Sequence, residues 1–257
     1  MTRKAYTPRQ RYPKAKLTSI NVNYIHPRSP WTAAWWSMAI PGFGHVMLGR
    51  YFTGSLLIIW EFLINLKGHV NLGILYTFLG RFDQAREAVD PRWLLFYCGV
   101  FVFAVWDSYR CAVDFKNLSF LGDHDGYYTS EPLVIGLAIN YLDKRTPWVG
   151  AVSSLFMPGL GHLYAGKLVM GVYILTFWTA ISYFSHLLEG LVYTFTGGFS
   201  QALTVVDPEW LLFLPSIYGF VIYDAYSSVI EHNKLFKEEQ SWFFKENYQD
   251  PGFDMPF

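Results

Sequence analysis

The chain has 257 residues, and its 20 Lys and Arg are balanced by 20 Asp and Glu. A formal net charge of zero gives no global electrostatic pull toward nucleic acid. Hydrophobic residues make up 52% and aromatic ones 19%, with only 16% charged, against about 25% in an ordinary soluble domain. Few charges among many rings point to a membrane protein with aromatic side chains at the lipid–water boundary, with a large soluble helical domain as the rival.

Residues 1–30 hold seven basic side chains, Arg3, Lys4, Arg9, Arg11, Lys14, Lys16 and Arg28, and no acid. They have no long apolar run, so they do not read as a signal peptide. A basic segment directly before the first apolar stretch belongs on the cytoplasmic side. The two cysteines, Cys98 and Cys111, lie on one apolar segment, too far apart along one helix to form a disulfide. No metal-ligand spacing is visible, and no cofactor or metal is expected.

From Trp31 onward the chain repeats itself. Displaced by 117 residues, Trp31 to Phe115 aligns with Trp148 to His232 without a gap, and about a third of the aligned positions are identical. Pro41, Gly42, Gly44, His45 and Gly49 match Pro158, Gly159, Gly161, His162 and Gly166; "VDPRWLLF" at Val89 matches "VDPEWLLF" at Val206. We read this as a tandem duplication, each copy one structural unit. Within the first copy, 31–48 is apolar but broken at the Pro-Gly turn, and 52–67 is an apolar helix carrying Glu61. Residues 68–92 place Leu72, Leu75, Leu79, Phe82 and Val89 at helical spacing, which predicts an amphipathic helix in the headgroup region. Residues 93–113 are long and apolar enough to cross a bilayer. The second copy repeats the series as 148–165, 169–187, 188–209 and 210–230. Asp90-Pro91 and Asp207-Pro208 read as helix starts, Asp capping and Pro in the first turn.

The expected fold is an all-α integral membrane protein of two tandem pseudo-symmetric repeats. Each repeat has a re-entrant half helix, two transmembrane helices and an interfacial amphipathic helix. The divisions are a basic cytoplasmic segment 1–30, repeat one 31–116, a linker with a short interfacial helix 117–147, repeat two 148–232 and a C-terminal tail 233–257. If the Pro-Gly segment crosses rather than dips, there are six spans instead of four and the repeats are inverted. The dip is favoured because the freed backbone groups need partners and because Arg50 and Lys167 then share the basic side. Either way both termini are cytoplasmic.

"PGLGHLYAGK" at Pro158, and less closely "PGFGHVMLGR" at Pro41, resemble a small two-span membrane domain family with a PGxGxxYxG signature. Met47 departs from the family's aromatic preference. The longer pattern, ending in "DSY" at Asp107 and "DAY" at Asp224, is similar to the N-terminal module of some sugar ABC-transporter permeases of Gram-positive bacteria. The resemblance implies a bacterial cytoplasmic membrane protein allied to a transport assembly. The permease core and its ATPase-coupling loop are absent, so that coupling is not implied.

Ionisable groups in apolar segments are functional candidates. His45, Asp107, His162 and Asp224, with Arg50 and Lys167, are the candidate polar cluster. One reading pairs each His with an Asp, which suits proton relay or a metal. The other has each His holding open backbone carbonyls while Arg50 and Lys167 neutralise the Asp residues. His69 and His186 read as interfacial anchors, and Glu61 as a partner of Lys67 or of a neighbouring helix. "GDHDGYY" at Gly122 breaks the calcium-loop register, "PLVIGLAINYL" at Pro132 reads as an interfacial helix, and the aromatic tail after Lys237 suits a membrane surface or a partner. No local catalytic motif is present. The leading expectation is a non-enzymatic accessory or scaffold subunit whose partners are the bilayer and other membrane proteins. A solute or ion transporter using the His/Asp set, and a membrane-embedded His/Asp metal enzyme, are the alternatives.

Overall fold

A computed structural model describes residues 15–17, 22–24, 27–125 and 142–248. The described part is helical apart from one antiparallel hairpin, β1 (Ala15–Leu17) and β2 (Val22–Tyr24), in the basic segment where the sequence reading expects no strand. Six helices follow: α1 (Pro30–Ala39), α2 (Phe43–Met47), α3 (Tyr51–Gly68), α4 (Val70–Phe78), α5 (Phe82–Ala88) and α6 (Pro91–Asp125). After residues 126–141, which hold the segment at Pro132 and lie outside the described residues, come α7 (Pro147–Phe156), α8 (Leu160–Tyr164), α9 (Leu168–Phe184), α10 (Leu187–Phe195), α11 (Phe199–Val205), α12 (Pro208–Leu211) and α13 (Leu214–Asn247). We call α1–α6 the first half and α7–α13 the second.

Proline sets the first break of each half. A residue before proline is pushed out of the helical region, and Ile40 and Met157 are extended, at φ −147 and −146. Gly42 and Gly159 follow at φ 105, where L side chains are strained. A Cβ on either would also strike the carbonyl oxygen of Gly54 or Gly171 in the next helix. Gly44 and Gly161 sit as closely against the carbonyls of Ala33 and Gly150, and the Gly44 amide donates to Ser37 Oγ at 3.2 Å. The short helices α2 and α8 therefore fold back onto α1 and α7.

The middle segment departs from expectation. One amphipathic helix is predicted over 68–92, but the chain forms two, α4 and α5, with Gly80 at φ 71 between them. Gly197, at φ 82, breaks α10 from α11 in the same way. Each pair closes as a hairpin through a glycine: a Cβ on Gly73 would meet Val89, and one on Gly190 would meet Val206. The junctions before these hairpins are His69 and His186, at φ 52 and 53, an uncommon conformation for a non-glycine residue. His69 is paired with Glu209, and His186 Nδ1 lies 3.4 Å from Glu189 Oε2. These histidines are thus helix joints as well as half-exposed polar groups. Asp90 and Asp207 accept from the amides of Arg92 and Glu209 at 2.8 and 2.9 Å, the expected N-caps.

The last helices also differ. α6 is continuous to Asp125, past the division at 116, and α13 runs through the division at 233 to Asn247. The segment 210–230, expected as one span, is split: α12 ends at Leu211 and α13 begins at Leu214 with Pro215 in its first turn. Pro215 lacks the N–H that a continuous helix would need there; its counterpart in the first half is Cys98.

The core lies between the halves and joins unlike faces of them. On the second half, Tyr173, Ile174, Phe177, Ile217 and Phe220, with the half-buried Ser216 next to Ile217, form an apolar face that belongs to this core. It receives Phe43 on Phe220 at 4.5 Å between ring centroids, Trp36 on Phe220 at 5.5 Å and Phe62 on Phe177 at 5.3 Å. Ser55 Oγ lies 3.2 Å from the Tyr173 hydroxyl, and Ile174 and Ile217 are buried. The six counterparts on the first half, Leu56, Leu57, Trp60, Gly99, Val100 and Phe103, line an open apolar cleft of about 340 Å³. Large apolar side chains also face outward along α6, among them Leu95, 76% exposed, and Val102, 65% exposed.

By length and composition, one described helix, Pro91–Leu121, can cross a membrane. The number rises to three if each of two bent pairs is one span, Leu168–Phe184 with Leu187–Phe195 (65°) and Phe199–Val205 with Pro208–Lys245 (88°). α3, expected as a span, is not among these; Glu61, Asn65 and Lys67 fall in its last two turns.

Candidate functional site: two buried histidine–aspartate pairs

The tight turn at Pro41-Gly42 drives α2 into the interior, and His45 on it has no exposed surface. Its Nε2 lies 3.0 Å from Oδ2 of Asp107 on α6. In the second half, His162 on α8 is equally buried and its Nε2 lies 3.0 Å from Oδ2 of Asp224 on α13. The Nδ1 of each ring has no hydrogen-bond partner. The geometry is therefore the direct His–Asp pairing, one pair per half.

The second oxygen of each carboxylate is held by an arginine that the sequence reading does not assign. Asp107 Oδ1 accepts from Arg110, Nε at 3.1 Å and Nη2 at 2.5 Å. Asp224 Oδ1 accepts from Arg28 Nη1 at 2.5 Å. Arg28 also binds Glu231, with Nε 2.8 Å from Oε1 and Nη2 3.0 Å from Oε2. Burial alone would lower the Arg28 guanidinium, but Asp224 and Glu231 beside it outweigh this and hold its pKa above the ordinary value.

Arg50 and Lys167 occupy equivalent places, but only Arg50 stands within ion-pair distance of its aspartate. Arg50 donates to Cys111 Sγ and stands 4.0 Å from Asp107 Oδ2. Lys167 Nζ donates to Ser228 Oγ at 2.9 Å and reaches Glu231 at 3.4 Å rather than Asp224. The two histidine–aspartate pairs thus have separate partner sets. Gly49 and Gly166, at φ 76 and 75, turn the chain so that Arg50 and Lys167 follow directly. Tyr164, the signature aromatic, has work that Met47 lacks: its carbonyl accepts from Arg145, and its hydroxyl from the Thr146 amide at 3.1 Å. Met47 is simply buried among apolar neighbours.

Glu61 does not pair with Lys67. It accepts from Asn65 Nδ2 at 3.2 Å; Asn65 also donates to Asn71, whose Nδ2 donates to the Glu209 carbonyl at 2.8 Å in the second half. This chain of amides ties α3 and α4 to α12.

A buried imidazole against a carboxylate can hold or pass a proton at Nε2. The first site also brings a thiol into the set: His45, Asp107 and Cys111 place their ligand atoms within 4.8 Å of one another. No family model, curated protein or solved structure matches the chain.

Proposed function

We propose that the chain is a non-enzymatic scaffold subunit of a membrane assembly in a bacterial cytoplasmic membrane, built by tandem duplication, with both termini cytoplasmic. One observation carries the reading, the unequal use of two equivalent faces. The face of the second half is covered by aromatic side chains of the first half. The matching cleft between α3 and α6 is apolar and open. Its natural occupant is a membrane-spanning helix of a partner subunit that presents aromatic side chains, as α2 and α3 do to the second half. A second copy of this chain suits the cleft less well. The positions that would enter it carry Ser153, Leu160, Leu168 and Thr179 in place of Trp36, Phe43, Tyr51 and Phe62. The polar groups support the same reading. Each His–Asp pair is closed by its own arginine, which suits internal cross-links better than a solute path.

The test is purification from native membranes in mild detergent, with mass spectrometry of what remains bound. A stoichiometric membrane partner is expected, and it should be lost from the Gly99→Phe variant. A Cβ at Gly99 meets nothing within 4 Å, so a side chain there starts into open space at the cleft. A chain that purifies alone, and carries solute in proteoliposomes in a manner abolished by Asp107→Asn and Asp224→Asn, would replace scaffolding by transport.

A further inference from the structure

We propose that His45, Asp107 and Cys111 form a binding site for one thiophilic divalent cation, of the kind of Zn²⁺. All three residues are buried and their ligand atoms are gathered at one point. His45 Nε2 is 3.0 Å, and Cys111 Sγ 3.7 Å, from Asp107 Oδ2. Donors around a tetrahedral zinc, with bonds of about 2.0–2.3 Å, stand roughly 3.3–3.7 Å from one another. Binding therefore draws together three donors that already lie within 4.8 Å of one another. Asp107 and Cys111 are one helical turn apart and share a face of α6, and α2 delivers the ring to that face.

The carboxylate is oriented for the task. Arg110 occupies Oδ1 and leaves Oδ2 facing the imidazole and the thiol. An outer partner of this kind fixes a ligating group in place. In the empty site the Asp107 carboxylate holds the ring proton on His45 Nε2; when Nε2 ligates, that proton leaves and the ring N–H passes to Nδ1, which has no competing partner. A positive charge is already held at the same spot, since Arg50 Nη1 donates to Cys111 Sγ and faces Asp107 Oδ2. The Arg50 side chain is 41% exposed and can swing into solvent when an ion takes its place. Binding deprotonates the thiol and releases that proton to water. Three protein donors leave one further coordination position.

The second half provides an internal control. There Ser228 stands where the first half has Cys111, Lys167 sits on its hydroxyl, and Arg28 is engaged with Asp224. A hydroxyl is a poor ligand for a soft ion, so the site is not repeated in the second half and belongs to the first.

The test is titration of the purified full chain, thiols reduced, with Co²⁺ alone. A thiolate-to-cobalt charge-transfer band should grow to saturation at one equivalent and vanish on adding Zn²⁺. Cys98→Ser should keep the band. Cys111→Ser, which installs the residue tolerated at Ser228, should lose it, and Arg50→Gln should tighten binding by removing the competing cation. Absence of the band in the native chain, or its survival in Cys111→Ser, would overturn the proposal. The readout involves no partner protein, so it stands or fails separately from the scaffold reading.

Discussion

Arg28 precedes every described helix and still bridges two carboxylates on α13, Asp224 and Glu231. Its side chain is 10% exposed and that of Asp224 2%, so both charges are largely removed from water. Removing one member of such a pair leaves the other as an uncompensated buried charge, at a cost of about 3–5 kcal/mol. Arg28→Gln should therefore destabilise the chain by that amount in denaturant unfolding in detergent. Arg110→Gln should cost less, because Arg110 is half exposed and Asp107 keeps Arg50 nearby. Equal small losses from both would contradict the view that Arg28 anchors the second half. These roles differ in how far they can be read beforehand. Arg110, Cys111 and Glu231 lie three, four and seven residues from their aspartates, so helical spacing alone places them on the same face. Arg28 is 196 residues from Asp224 and is one of seven basic residues in its segment; nothing local distinguishes it.

The broken helices were legible where proline made them. Pro41 and Pro158 announce the turns because they bar the preceding residue from helix. The glycines beside them are then required by close approach: a Cβ on Gly161 would collide with the Gly150 carbonyl and Ser154 Oγ. Gly161→Ala should lower stability by about 1–3 kcal/mol, the range for an overfilled core, as read by thermal unfolding in detergent. An unchanged midpoint would show that α7 and α8 can separate freely. The breaks at Gly80 and Gly197 are harder to foresee, because apolar residues keep helical spacing across both turns. The split at Pro215 is visible in "LLFLPS", yet the apolar run conceals it when hydropathy alone is followed.

At the scale of the molecule, the two halves share an order of elements but not a role. The second half presents Phe220 inward to Trp36 and Phe43, whereas its counterpart Phe103 is 49% exposed beside an open cleft. Such a contact joins unlike faces, and unlike faces leave one of each kind unused. The sequence hints at this only indirectly, through the aromatic positions of the first half that become Ser153, Leu160, Leu168 and Thr179 in the second. Which faces meet is a property of the assembled core, and self-alignment does not reveal it. The scaffold reading rests on the outward apolar surface of α6 lying within the bilayer. The most direct measurement is labelling of single cysteines in intact membrane vesicles whose cytoplasmic face is outward, with a membrane-impermeant maleimide, in a Cys98→Ser background where Cys111 is buried. Phe103→Cys, in the middle of α6, should stay unlabelled until detergent is added, while Phe120→Cys, 73% exposed near the end of the apolar helix, should label at once. Equal labelling of both in intact membranes would contradict it.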